Sequence, residues 1–194
     1  VPNALRHFSD IFPQVQLRIV TAPTRRIYDQ LHTDQLDAGI AIELPSDELP
    51  TGLLSIPLTS TEMVLIGRPE HALLADDRPV DLARLIEEPL ITNELTIGYG
   101  QIVTTMFADI GAPPNIRAVA DNVDTLCEMV AAGMGVAIIP RSALLQTGNR
   151  APLGIRTITP VRRIGFCFVR RRQAMSRSRE SYFSFLSDAL TNSA

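Results

Sequence analysis

Two stretches of this chain repeat one pattern, and that pattern restricts the fold more than any other feature. Residues 27–42 read IYDQLHTDQLDAGIAI, and residues 123–140 read VDTLCEMVAAGMGVAIIP. In each, apolar residues recur at helical spacing, an Asp or Gly interrupts them, and a short apolar run follows. A helix therefore delivers the chain straight into a buried strand. Two copies far apart in 194 residues imply two α/β units of one kind. They are too few and too distant for a solenoid. A molecule with two such units is expected to hold a cleft between them, where small ligands bind.

The rest of the chain reads as alternating strands and helices. Pro2 suits a first helical turn, where its missing N–H costs nothing. Leu5, Phe8, Ile11 and Phe12 continue that helix until Pro13 stops it. The branched run 15–20 predicts a strand, and Thr24 can cap the helix of Ile27, Tyr28 and Leu31. The apolar run 38–42 predicts a parallel strand covered on both faces. A polar loop is expected over 43–52, and separate strands near 53–58 and 62–67. Residues 68–79 read as a loop, after which Asp81 caps a short helix. A strand over 89–93, the loop 94–100 and a helix holding Ile102, Val103, Met106, Phe107 and Ile110 follow, closed by Gly111. Next come a strand over 116–120, a helix capped by Asn122, strands near 153–158 and 163–169, and a last helix with Tyr182, Phe183, Phe185, Leu186 and Leu190. The class is α/β with mainly parallel sheets.

Composition narrows the chemistry. At 45% hydrophobic and 20% charged, the chain is an ordinary globular one, and its formal charge of −3 gives no reason to expect a nucleic-acid surface. No apolar stretch reaches membrane-spanning length, and no signal-peptide pattern opens the chain. All 18 basic residues are arginine, which excludes a lysine Schiff base, a pyridoxal-type site and a Walker A loop within this chain. His7, His32 and His71 lack partners at ligand spacing, so no metal site is expected. No nucleophile elbow occurs, and neither GYG (98–100) nor GMG (133–135) completes a dinucleotide fingerprint. Asp76-Asp77 and Glu87-Glu88 read as solvated surface. Cys127 and Cys167 sit in apolar settings and read as buried thiols in a reducing compartment. Arg170-Arg171-Arg172 with Arg177 and Arg179 is the one concentrated charge; it reads as a solvated face, with a phosphate-contacting patch as the alternative. No catalytic residue and no cofactor is expected.

Taken in order, four segments resemble the effector-binding domain of LysR-type transcriptional regulators over essentially the whole chain. PNALRHFSDIFP (2–13) resembles the family's opening helix, with its Leu-Pro, Phe and Tyr-Pro cadence. Leu31–Ile42 is similar to Leu…Gly-x-Leu-Asp-x-x-Ile, and RPEHALL (68–74) to the family's His-Pro-Leu segment. VAAGMGVAIIP (130–140) is similar to Val-x-x-Gly-x-Gly-Ile-x-x-x-Pro. The resemblance implies two Rossmann-like lobes joined by two crossing strands, like type 2 periplasmic binding proteins. Lobe I would comprise 1–66 and 162–194, lobe II 67–161, with a small effector between them. The family's N-terminal winged helix-turn-helix is not found in this sequence, so DNA contact is expected only through a domain outside it. In the family, a strand of the lobe I sheet also precedes the opening helix. Asp34 stands where the family often has glycine, and Ile42 replaces a polar residue that some members use on acidic effectors.

On that architecture three helix starts face one cleft: Thr24, Thr96 to Tyr99, and Asn122. Helix N-termini expose unpaired N–H groups and partial positive charge, which suit a carboxylate or other anion. The candidate effector contacts are therefore Thr24, Thr96, Tyr99 and Asn122. Capping serves equally well for Thr24 and Asn122, and packing for Tyr99. Asp37 and Gly133, at the helix-to-strand breaks, read as structural, with Gly133 taking positive φ. The resemblance further implies a homodimer, and a tetramer of the full-length protein, in which the opening helix (Leu5, Phe8, Phe12) pairs with the helix after Asn122 (Val123, Leu126, Val130). The expected function is effector sensing in the cytoplasm, without catalysis or membrane contact. The alternatives are a transporter's solute-binding protein and an enzyme on the same scaffold.

Overall fold

The computed structural model describes residues 2–43, 48–96, 98–144, 152–173 and 176–192. Parts of the expected loops, 44–47 and Ile97, lie outside the described residues. In chain order the elements are α1 (Pro2–Ile11), α2 (Thr24–His32), β1 (Ala38–Glu43), β2 (Leu53–Gly67), β3 (Val80–Asp81), β4 (Leu90–Thr92), α3 (Gly98–Asp109), β5 (Ile116–Val119), α4 (Val123–Ala131), β6 (Val136–Pro140), α5 (Arg141–Leu144), β7 (Gly154–Thr159), β8 (Arg163–Arg171) and α6 (Arg177–Asn192). Short 3-10 turns cover Ala72–Leu74 and Leu82–Leu85, the second capped by Asp81, whose carboxylate accepts from the Ala83 N–H at 2.9 Å. The chain divides into two compact units, residues 1–60 with 165–194, and residues 61–164.

In the first unit β1 runs antiparallel to β8, from Ala38 opposite Arg170 to Glu43 opposite Gly165, and the first part of β2 follows on the other side of β8. The parallel pairing expected for 38–42 is therefore replaced by an antiparallel one. An unbroken apolar run reports cover on both faces and is silent on strand direction. Ile27, Tyr28 and Leu31 of α2 pack with Ala41, Leu53, Cys167 and Val169. On α1, Ala4 and Phe8 are buried, and Phe12 just past its end is half-buried, a stripe at i, i+4 and i+8. That stripe meets α6 in an aromatic cluster, with Phe8 6.0 Å from Tyr182 and 6.1 Å from Phe185, and Phe12 4.8 Å from Tyr182.

The second unit carries the parallel ladder. Its strand order is β2–β6–β4–β5, with β4 parallel to both β5 and β6, while β2 pairs antiparallel with β6 and β7. Its core joins Val64 and Ile66 of β2, Ile91 of β4, Ala137 and Ile139 of β6, and Leu126, Cys127 and Val130 of α4. Arg156 on β7 holds the 72–78 segment: its guanidinium donates to the Leu74 carbonyl at 2.6 Å and to the Asp76 carbonyl, and pairs with Asp77 at 3.2 Å.

Three expectations need correction. Val15–Val20 forms no ladder among the described residues, and Ile19 is 65% and Val20 42% exposed. Branched residues favour a strand only where a neighbouring strand completes the hydrogen bonds. Second, 53–58 and 62–67 are one continuous strand, β2, and its polar middle, Thr59–Glu62, breaks nothing. Third, Phe8 is 1% exposed, and Leu126 and Val130 are fully buried, each within its own unit. These three fill cores and do not face a partner; Leu5, Phe12 and Val123 remain only half-buried.

The repeated pattern resolves into one helix stop used twice. After α4, the Gly133 N–H donates to Val130 O at 2.9 Å and the Met134 N–H to Met129 O at 3.1 Å, with Gly133 at φ +82°. After α2, the Asp34 N–H donates to Leu31 O at 3.5 Å and the Gln35 N–H to Gln30 O at 2.9 Å, with Asp34 at φ +60°. Both are Schellman stops, in which a left-handed residue turns the chain out of the helix. Glycine holds that conformation without strain; aspartate costs more and is anchored here by an ion pair to Arg171, itself largely buried.

Candidate functional site

Most of the candidate residues gather at the carboxyl end of β4. In parallel α/β sheets this end faces the following helix starts, so it is where ligands are bound. Thr92 closes β4. It is 2% exposed, and its hydroxyl has no hydrogen-bond partner in the structure. Its carbonyl accepts from the Ala120 N–H at 2.8 Å, and the Asn93 amide donates to the Ala120 carbonyl at 3.0 Å. The end of β4 is thereby tied to the segment that enters α4.

The start of α3 closes on the same place. A Cβ on Gly100 would sit 2.2 Å from the Glu94 carbonyl oxygen and 2.6 Å from that of Asn93, so only glycine lets the first turn approach the 93–94 backbone. Gly98 takes φ +55° to enter the helix. The Thr104 hydroxyl donates to the Gly100 carbonyl at 3.0 Å. The GYG run thus serves close backbone packing, with no dinucleotide loop. Tyr99 is half-buried, and loss of solvent pushes its phenol above the usual tyrosine range, so it stays a neutral donor. Thr96 is exposed, its hydroxyl 3.4 Å from the Glu94 carboxylate.

Asn122 caps α4: its amide oxygen accepts from the Thr125 N–H at 2.8 Å, and its amide nitrogen donates to Asp121 at 2.7 Å. Thr24 belongs to the first unit and does not cap α2. Pro23 occupies the cap position without a side-chain bond, because the proline ring fixes the extended conformation a cap needs but offers no acceptor. Thr24 is instead the first helical residue, buried, and its hydroxyl accepts from the Ile42 N–H at 3.3 Å.

Of the residues the sequence suggested, Thr96, Tyr99 and Asn122 thus lie in the second unit and Thr24 in the first, while Thr92 and Asn93 are further candidates that the sequence reading did not name. Their signal was available: PLITN is an apolar strand that ends on two polar residues, at the end of a parallel strand. Three of the five clustered arginines are engaged within the chain, and Arg172 and Arg177 are exposed. Arg171 pairs with Asp34, Arg179 pairs with Asp37, and Arg170 lies over the Phe183 ring at 5.9 Å. Cys127 and Cys167 are buried and form no disulfide; burial pushes the Cys167 thiol up, so it stays protonated. Among the described residues no group of three His, Cys, Asp or Glu is placed to hold a metal, and no helix is long and apolar enough to cross a membrane.

Two α/β units, with β2 and β8 each running from one into the other, give a periplasmic-binding-protein-like fold. The chain belongs to the LysR substrate binding domain family, whose model matches residues 1–191. It is 32% identical over 173 residues to the HTH-type transcriptional regulator TtuA of Agrobacterium vitis, covering 88% of this chain and 54% of that protein. It is 30% identical over 144 residues to the regulator IlvR of Caulobacter vibrioides, covering 73% and 48%. The chain thus spans about half the length of these relatives. In structure it is similar to the Synechocystis PCC6803 CcmR regulatory domain in complex with 2-PG, with TM-score 0.85, 19% identity and coverage of 98% and 91%. It is also similar to the BenM effector binding domain with its effector benzoate, with TM-score 0.82, 20% identity and coverage of 99% and 84%.

Proposed function

We propose that this chain is the sensor of a LysR-type transcriptional regulator and binds a small, anionic organic effector. The observation that carries the reading is the Thr92 hydroxyl, buried and unpartnered at the end of β4 beside the starts of α3 and α4. A buried polar group without a partner is costly, and a ligand that completes it recovers that cost. The hydrogen bonds already made support this reading of the ligand's character. Thr24 accepts from Ile42, which leaves its O–H to donate. Asn122 accepts from Thr125 and gives one amide hydrogen to Asp121, which leaves the other N–H. Tyr99 is a neutral phenol, and the helix starts contribute backbone N–H groups. These free O–H and N–H donors suit an acceptor-rich ligand such as a carboxylate, with the Glu94 and Asp121 carboxylates already engaged by Thr96 and Asn122. Benzoate and shikimate, bound in two structural neighbours, are carboxylates of this kind. The contacts in this reading are Thr92, Asn93, Thr96, Tyr99 and Asn122 in the second unit, and Thr24 is a separate candidate in the first.

Effector binding favours one arrangement of the domain over another, and an oligomer on DNA reports the difference; the DNA contact is made by another part of the regulator, in the cytoplasm. The oligomer is built from homodimers. Because Phe8, Leu126 and Val130 are internal, the dimer surface is assigned to exposed apolar residues close in sequence to those two helices: Ile11, Ile19 and Val20 in one unit, and Val119 and Met134 in the other. The test of the sensor reading is a thermal-shift screen of small organic acids against their amides. At 100 Kd a ligand stabilises the native state by about 2.7 kcal/mol. Carboxylates that raise Tm while their amides do not support the reading. Amides that act equally well reject an anion site.

A further inference from the structure

We draw no further inference here: the strongest candidate, the open edge of β1 in the first unit's sheet together with the unladdered stretch Val15–Val20, carries nothing new, because nothing in the structure shows what covers it and the strand that the family resemblance places before the opening helix already accounts for it.

Discussion

Thr92→Val separates a hydroxyl kept for a ligand from one kept for the fold. The two side chains have nearly the same shape, and both are β-branched, so strand geometry and packing are preserved. The backbone bond from Ala120 to the Thr92 carbonyl is untouched. Only the hydroxyl is lost, and in the native protein that hydroxyl is buried without a partner. An unsatisfied buried group costs about 1–3 kcal/mol, so replacing it with a methyl should stabilise the ligand-free protein by about 1 kcal/mol. For a chain of this size that is a rise in Tm of roughly 2–4 °C. The effector response should move the other way. Losing one hydrogen bond to a charged ligand removes about 1.5–3 kcal/mol of binding, or about 10- to 150-fold in Kd. Melting scans with and without the best carboxylate from the screen give both numbers. A variant that melts lower than wild type without ligand shows that Thr92 is already hydrogen-bonded in the native fold. A variant that is stabilised and still binds at full affinity removes Thr92 from the site.

Other outcomes follow from the same geometry. Gly100→Ala places a Cβ against two backbone carbonyls and should destabilise by about 3 kcal/mol or more, seen in denaturant unfolding; a loss under 1 kcal/mol would mean the α3 start is free to retreat. Gly133→Val should cost about 1–2 kcal/mol from its left-handed backbone, and more where the side chain meets Arg68. The Asp34 carboxyl is held below its ordinary range, chiefly by its hydrogen bond to Arg171. Its folded value lies below its unfolded one, so its contribution is complete above the unfolded pKa and is lost as pH falls through the folded pKa. Acid titration of unfolding should therefore show a loss below about pH 4 that Asp34→Asn lacks. Ile19→Glu should shift a dimer toward monomer in sedimentation while Tm holds; Phe8→Ala should instead lower stability by about 3–5 kcal/mol. A wild-type chain that stays monomeric at high concentration would discard the dimer.

The parts of the fold legible in the sequence are those set by local chemistry. The Asn122 cap, the Asp81 cap and the Gly133 stop each depend on side chains and backbone within a few residues. One local reading fails, because Pro23 and not Thr24 takes the α2 cap position; the other errors are non-local. Apolar periodicity marks Phe8, Leu126 and Val130 as inward but cannot say whether the inward side is α6, the β-sheet or a second molecule. The run 15–20 has strand composition but depends on a neighbour. β2 continues through Thr59–Glu62 as one strand that lies between β8 and β6 in the sheet, although that polar stretch would read as a turn in isolation. The site follows the same rule. Thr96, Tyr99 and Asn122 could be named as candidates because helix starts announce themselves, whereas Thr92 becomes a candidate through the absence of a partner, which only three-dimensional packing determines.

The two helix stops carry this distinction furthest. Gly133 satisfies its left-handed position by itself, so the second unit's stop is encoded in one residue. Asp34 occupies the equivalent position in the first unit at φ +60°, and its side chain is engaged by Arg171, more than a hundred residues away on β8. The first stop is therefore conditional on β8 being in place, and the second is not. Asp34→Gly tests this directly. It removes the steric cost of the left-handed backbone, about 1–2 kcal/mol, and also removes the pair to Arg171. If the pair is the weaker term, as exposed ion pairs generally are, the variant melts higher than wild type, and Arg171→Gln loses stability in wild type but little in Asp34→Gly. If Asp34→Gly melts lower, the ion pair is what holds α2 to β8, and the aspartate is retained for that contact despite its strain.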